Sequence, residues 1–283
     1  MQEPIRFDNR VALVTGSGRG LGAVYARELA ARGAAVVVHD AGVAPDGSGA
    51  DSSLAAALTE EIRRLGGTAT ASAENVETED GCRRAIGVAL EHFGRLDIVV
   101  QNAGLLVWEP IEEAGRGWDR MRRVNVDAPF HITRAAFPIM KGQGYGRFVF
   151  TTSGRAMGVE RTRQGLAAYA VGKMAHFALM VVSAAEGSEH GVLANAISPA
   201  AATRMLRREV QPGELEPEQV APGVLFLASE RCTFSGKVLE AGGGEFSIAR
   251  WTSGYEVDFG SAPVEPEVLA ERWQEIEGDG GRV

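Results

Sequence analysis

Thr15-Gly16-Ser17-Gly18-Arg19-Gly20-Leu21-Gly22 is the stretch on which the fold turns. An apolar run, Arg10–Thr15, leads into it, and a helical pattern, Gly20–Ala31, leads out. Glycines at such a junction permit a tight turn and let backbone N–H groups approach a diphosphate at the helix N-terminus. A glycine-rich run alone carries little weight. Here it stands between a strand and a helix, and a second apolar run, Ala34–His39, follows.

The alternation continues along the chain. Thr68–Ser72, Leu96–Gln101, Arg147–Thr152, Val192–Ala196 and Lys237–Glu240 read as further strands, mostly apolar without a break, as strands buried on both faces are. Ser52–Leu65, Thr78–Phe93, Gly117–Met140, Ala167–Glu189 and Glu218–Ala228 read as helices between them. This predicts an α/β fold with one parallel sheet, helices on both faces and right-handed crossovers. Residues 1–247 are expected to form one domain, with a mobile lid near 200–217. Residues 248–283 are expected to be an extension with a helix near Glu267–Glu277, packed on the body through Trp251 and Trp273.

Composition excludes several classes. There are 36 glycines in 283 residues, about twice ordinary usage, yet no Gly-X-Y period, so the chain is not collagen-like. The balance of 29 basic and 37 acidic residues, 29 − 37 = −8, offers no general attraction to nucleic acid or to an anionic membrane. Cys82 and Cys232 lie far apart and are expected to be reduced thiols, with no metal site. No signal core, no apolar run of about 20 residues and no Ser-Lys-Leu address is read, so a cytoplasmic protein is expected.

Three further features carry chemistry. Asp40 ends the second strand, where a carboxylate either caps a loop or accepts the ribose hydroxyls of an adenosine and repels a 2′-phosphate; the second role predicts NAD. Glu74, Asn75 and Val76, past the third strand, are placed to line an adenine pocket or are loop residues only. Tyr169 and Lys173 share one helical face at i,i+4 spacing. A free tyrosine titrates near 10, and a neighbouring ammonium lowers that value toward use as a general acid/base. Ser153 stands at the carboxyl end of the fifth strand, where ligand sites of open parallel sheets lie, with Thr151 and Thr152 as alternatives. Asn125 is polar amid apolar neighbours, either a helix-bending amide satisfied internally or part of a site.

From Arg10 to about Gly244 the sequence resembles the classical short-chain dehydrogenases/reductases. The octapeptide at Thr15 is similar to their TGxxxGxG cofactor loop, and Gln101-Asn102-Ala103-Gly104 to their NNAG motif. Asn125, Ser153, Tyr169 and Lys173 match their catalytic tetrad. Pro199 matches the turn after the sixth strand, and Thr203 a contact to the nicotinamide carboxamide. The resemblance implies a single-domain Rossmann fold, doubly wound, with seven parallel strands. It also implies cofactor contacts from Gly16, Ser17, Arg19, Gly20, Leu21, Gly22, Asp40, Asn75, Val76, Asn102, Ala103, Gly104, Tyr169, Lys173, Pro199 and Thr203. Val37–Asp40, Gly42–Gly49, Glu60–Arg64, Tyr145–Arg147 and Ala249–Thr252 look most like the (3R)-hydroxyacyl-CoA dehydrogenase part of multifunctional enzyme type 2.

That implies NAD(H)-dependent hydride transfer between a secondary alcohol and a ketone. The substrate is a bulky ketone or alcohol, or a 3-hydroxyacyl thioester. A non-redox enzyme on the same fold, such as a dehydratase or cyclase, and a cofactor-sensing binding protein are the alternatives. A homodimer or homotetramer is implied as well.

Two departures stand out. Gln101 replaces the first Asn of NNAG. Fifteen residues separate Ser153 from Tyr169, where the family usually has twelve. The longer loop, Gly154–Leu166, carries Arg155, Arg161 and Arg163 and is expected either to be a solvated surface loop or to reshape the substrate mouth and attract an anionic carrier.

Overall fold

β1 (Val11–Thr15) and β4 (Ile98–Gln101) have every residue buried, because helices cover both faces of the sheet at its centre. The computed structural model describes residues 3–43, 49, 51–202, 211, 213–251, 253, 254 and 256–278. β2 (Ala35–His39), β3 (Thr68–Ser72), β5 (Gly146–Thr151), β6 (Val192–Ala200), β7 (Val238–Gly242) and β8 (Glu245–Ala249) complete a sheet of order β3-β2-β1-β4-β5-β6-β7-β8. Every pairing from β3 through β7 is parallel, with Ala12 registered on both Val36 and Ile98. The order reverses between β1 and β4, which opens a crevice at the carboxyl ends of those strands.

The seven expected strands are present, and β8 is an addition. Gly243 and Gly244 both take positive φ, 61° and 82°, the pair of conformations a two-residue type I′ hairpin needs. β8 straddles the expected boundary between residues 247 and 248.

The helices are α1 (Gly20–Ala31), α2 (Ser53–Arg64), α3 (Glu79–Phe93), α4 (Trp118–Arg122), α5 (Ala128–Gln143), α6 (Gly154–Met157), α7 (Ala167–Gly187), α8 (Ala221–Ala228), α9 (Pro266–Glu271) and α10 (Trp273–Glu277). The single helix expected over Gly117–Met140 is broken by a π-helical turn, Arg123–Asp127, between α4 and α5. π-turns insert one residue into a helix and often mark functional sites. By length and composition alone Ala167–His190 would suffice to cross a membrane, which corrects the expectation that no run does. In the fold its buried residues include Lys173, His176 and Met180, and His176 meets the edge of the Phe150 ring of β5.

The chain divides into two compact units, Met1–Ile248 and Ala249–Val283. Within the second, Arg272 lies 4.7 Å over the Phe259 ring and pairs with Glu275. Most of the expected lid, including Thr203, lies outside the described residues. Its base is inside them: the Ala202 N–H donates to the Leu215 carbonyl, and Leu215 takes a left-handed φ of 54°.

Candidate active site

A cavity of about 1270 Å³ opens at the carboxyl ends of the strands. A drug-sized ligand site is roughly 300–1000 Å³. This one has room for a dinucleotide and a second molecule.

One half is built by the glycine turn. Gly16 has φ of 64°, and a Cβ there would lie 2.9 Å from the Cα of Ala103. A side chain at Gly22 would collide with the Gly16 carbonyl. Asn102 locks the turn to β4 by donating from Nδ2 to the Thr15 and Gly16 carbonyls, 3.0 Å each, while the Asn102 and Ala103 N–H groups donate to Thr15 Oγ1. Arg19 at the N-cap of α1 makes no side-chain cap bond, so the first-turn N–H groups are open to an anion.

Gly16, Arg19, Gly20 and Leu21 line the cavity, as do Asp40, Asn75, Val76, Asn102, Ala103, Gly104 and Pro199. Ser17 does not. It is wholly buried and its hydroxyl donates to the Val14 carbonyl at 2.8 Å, so it braces the turn. Gly22 likewise serves packing. Both Asp40 oxygens accept a backbone N–H, from Gly18 at 2.8 Å and Gly42 at 2.7 Å, which aims the carboxylate at the cavity. Gln101 reaches away from the site to the Pro129 carbonyl and Thr133 hydroxyl and ties β4 to α5. These residues fit an adenine dinucleotide: a diphosphate on the open turn, a ribose at Asp40 and an adenine against Asn75 and Val76.

The other half gathers Ser153, Tyr169 and Lys173. Ser153 caps α6 and accepts the Arg155 N–H at 3.3 Å. It lines the cavity together with Tyr169. Burial holds the Tyr169 phenol above its usual value, against the opposing pull of Ser153 and the Arg155 guanidinium. Lys173 lies one turn along α7 from Tyr169. Its Nζ donates to the Thr151 carbonyl at 2.9 Å, 5.8 Å from the Tyr169 ring, and burial lowers its pKa to about 8.

Thr152 is not a substitute for Ser153, because its hydroxyl is spent on the Lys173 carbonyl. Asn125, on the π-turn, is wholly buried. Its amide donates to the Leu105 carbonyl at 2.9 Å and its Oδ1 accepts the Leu105 N–H at 2.8 Å. It is thus an internally satisfied amide that also fixes the segment after Gly104 beside Lys173.

The longer loop borders the cavity and is held at two places. The Glu109 N–H donates to the Gly165 carbonyl at 3.0 Å, and Arg161 pairs with Glu240 of β7. Glu240, Phe246 and Ser247 of the hairpin also line the cavity and were missed; the Gly243-Gly244 pair was the signal. His176 was missed as well. It is buried with neither ring nitrogen bonded among the described residues, and burial beside the Lys173 cation keeps it neutral.

The family model for the short chain dehydrogenase matches residues 10–214. The chain is 40% identical over 283 residues to mouse (Mus musculus) peroxisomal multifunctional enzyme type 2, covering 98% of this chain but 38% of that protein. The crystal structure of a short chain dehydrogenase from Mycobacterium avium superposes with a TM-score of 0.83 at 34% identity, covering 95% of each chain. A 7α-hydroxysteroid dehydrogenase complexed with NADH and 7-oxo glycochenodeoxycholic acid superposes with a TM-score of 0.75 at 28% identity, covering 84% of this chain and 95% of that one. Motif, site geometry and these matches agree: the chain belongs to the short-chain dehydrogenase family, as an oxidoreductase acting on CH–OH groups with NAD(P).

Proposed function

We propose that the protein interconverts a secondary alcohol and a ketone with NAD(H), on a bulky ketone or alcohol or a 3-hydroxyacyl thioester. The observation that carries this reading is the gathering of Ser153, Tyr169 and Lys173 at the wall of a cavity whose other end is a dinucleotide cradle. Bound there, a nicotinamide supplies or accepts the hydride. Ser153 holds the substrate oxygen where negative charge develops. Tyr169, protonated in this state, donates its proton to that oxygen in reduction and takes it back in oxidation. Lys173, held by the Thr151 carbonyl, places its cation beside Tyr169 and favours the phenolate that proton transfer leaves. Asn125 keeps Leu105 and the neighbouring Gly104 in place against Lys173.

Asp40 supports NAD over NADP, since a carboxylate already aimed by two N–H groups repels a 2′-phosphate. The hydroxysteroid dehydrogenase is complexed with 7-oxo glycochenodeoxycholic acid, a bulky keto acid, which supports a large substrate. The test is NADH and NADPH consumption against a panel of ketones and acyl thioesters. NADH is expected to be preferred at least tenfold. Tyr169→Phe is expected to lower kcat by about 10²–10⁴-fold, the usual weight of a general acid, with NADH affinity nearly intact. Full activity in that variant would overturn the assignment, and no oxidation of NADH by any substrate would favour a non-redox enzyme.

A homodimer or homotetramer is proposed through the faces of α5 and α7, where Phe130 (47% exposed), Val171, Val181 and Val182 present apolar surface. Light scattering after size exclusion should give a mass at least twice 30.0 kDa, and Val182→Glu should reduce it to that of the monomer.

A further inference from the structure

The three arginines of the longer loop differ in what neutralises them. Arg161 is paired with Glu240. Arg163 is exposed and donates to the carbonyl of its neighbour Thr162 at 2.8 Å. Arg155 is half-buried, lines the cavity and has no acidic partner among the described residues; its guanidinium rests 5.8 Å from the Trp108 ring. Glu240 holds Arg161 and accepts the Ser247 hydroxyl, and Asp40 is held by Gly18 and Gly42. Of the other carboxylates that line the cavity, Glu77 holds Arg120 and Arg123, while Glu160 and Glu245 form no ion pair with Arg155.

A guanidinium partly removed from water costs free energy unless a counter-charge meets it. Arginine meets a carboxylate with two parallel hydrogen bonds, in a geometry no single neutral acceptor reproduces. The position of Arg155 is set by the backbone: it is two residues from Ser153, and its N–H is bonded to the hydroxyl that faces the reacting oxygen. The guanidinium lines the same cavity as Ser153 and Tyr169, so a group bound to it shares that cavity with the reacting oxygen, with the Trp108 ring beside it.

We infer that Arg155 is a specificity-determining residue that binds a carboxylate carried by the substrate itself, so that the preferred substrate is a hydroxy or keto acid. This rests on Ser153 and Tyr169 being the reacting pair. It differs from attraction of a distant phosphate-bearing carrier, which would fall to the exposed Arg163. A favourable pull of the same guanidinium on the Tyr169 phenolate is consistent with this placement.

The test uses eight-carbon 3-oxo, 4-oxo and 5-oxo acids, each beside its ethyl ester, and the coenzyme A thioester of the 3-oxo acid. NADH oxidation and calorimetric binding to the NADH-loaded protein are both measured. In the wild-type protein at least one acid should be preferred over its ester tenfold or more, equal to about 1.4 kcal/mol. Arg155→Gln should erase the preference, through KM and Kd more than kcat, with NADH affinity within twofold. Arg155→Lys should keep part of it, since the charge remains but the paired geometry does not. Equal handling of acids and esters, no binding of any acid, a preference that survives Arg155→Gln, or a stronger preference for the thioester than for every acid would each overturn the proposal. Tyr169→Phe separates the two readings. It should bind the acid in preference to the ester while failing to turn over, whereas full turnover would remove the reacting pair and leave the anion site standing.

Discussion

Between Tyr169 and Lys173 the chain has Gly172, and a Cβ there would lie 2.5 Å from the Cβ of Asn125. The absent side chain lets α7 rest directly on the π-turn, which sets how far Lys173 reaches toward Thr151. Gly172→Ala should cost about 1–3 kcal/mol, the usual penalty of overpacking, and lower kcat more than NADH affinity. Thermal denaturation and steady-state kinetics read the two effects separately; an unchanged Tm would show that the contact is slack. At this scale much was legible. Tyr169 and Lys173 share a face because a helix repeats every 3.6 residues, and Asp40 sits at a strand end because the apolar run stops there. The partners of those side chains were not legible. Lys173 bonds a carbonyl 22 residues away, and burial raises the Tyr169 pKa against the pull of Ser153 and Arg155.

The elements add two features that periodicity alone does not report. The π-turn at Arg123–Asp127 is indistinguishable from ordinary helix by apolar pattern, and it exists where Asn125 answers both backbone groups of Leu105. The β7–β8 hairpin is written in Gly243-Gly244, yet the following strand is largely exposed, so its hydrophobic pattern is weak. Because both glycines take positive φ, replacing them by Ala-Ala should destabilise the hairpin by about 1–2 kcal/mol per residue. Hydrogen exchange should show faster exchange in β8 with β1 and β4 unaffected. The single change Gly243→Asn, with Gly244 kept, should preserve protection, since an Asn-Gly dipeptide suits the same turn. Glu240 and Phe246 line the cavity from this hairpin, so KM for the ketone substrate should rise in the alanine pair.

For the whole molecule, acid sensitivity follows from two histidines buried in neutral form. His39 donates from Nε2 to the Glu74 carbonyl at 2.9 Å and His176 lies against Phe150; burial lowers both values below 6.5. Well above 6.5 neither the folded nor the unfolded state holds the proton, and the groups contribute nothing to pH dependence. As pH falls through 6.5 the unfolded chain takes up protons that the folded chain refuses, so stability falls, until the lower folded-state values are passed. The loss is about 1.4 kcal/mol per histidine for each pH unit in that window. Urea unfolding at pH values of about 7.5 and 5.5, either side of the ordinary histidine value, should show it. His176→Leu should shrink the difference; an equal difference in that variant would show that the ring is not the source.

The same contrast runs through the protein. Local spacing in the sequence determined the α/β alternation, the glycine turn and the shared face of Tyr169 and Lys173, because those depend on residues a few positions apart and on backbone geometry common to all chains. Only the tertiary structure decided that Ser17 and Thr152 face inward, that Arg161 is neutralised by Glu240 from 79 residues away and that Arg155 is left without an acid among the described residues. Charge compensation and hydrogen-bond pairing are settled between segments brought together by folding, and that pairing is what separates a bracing side chain from one that awaits a ligand.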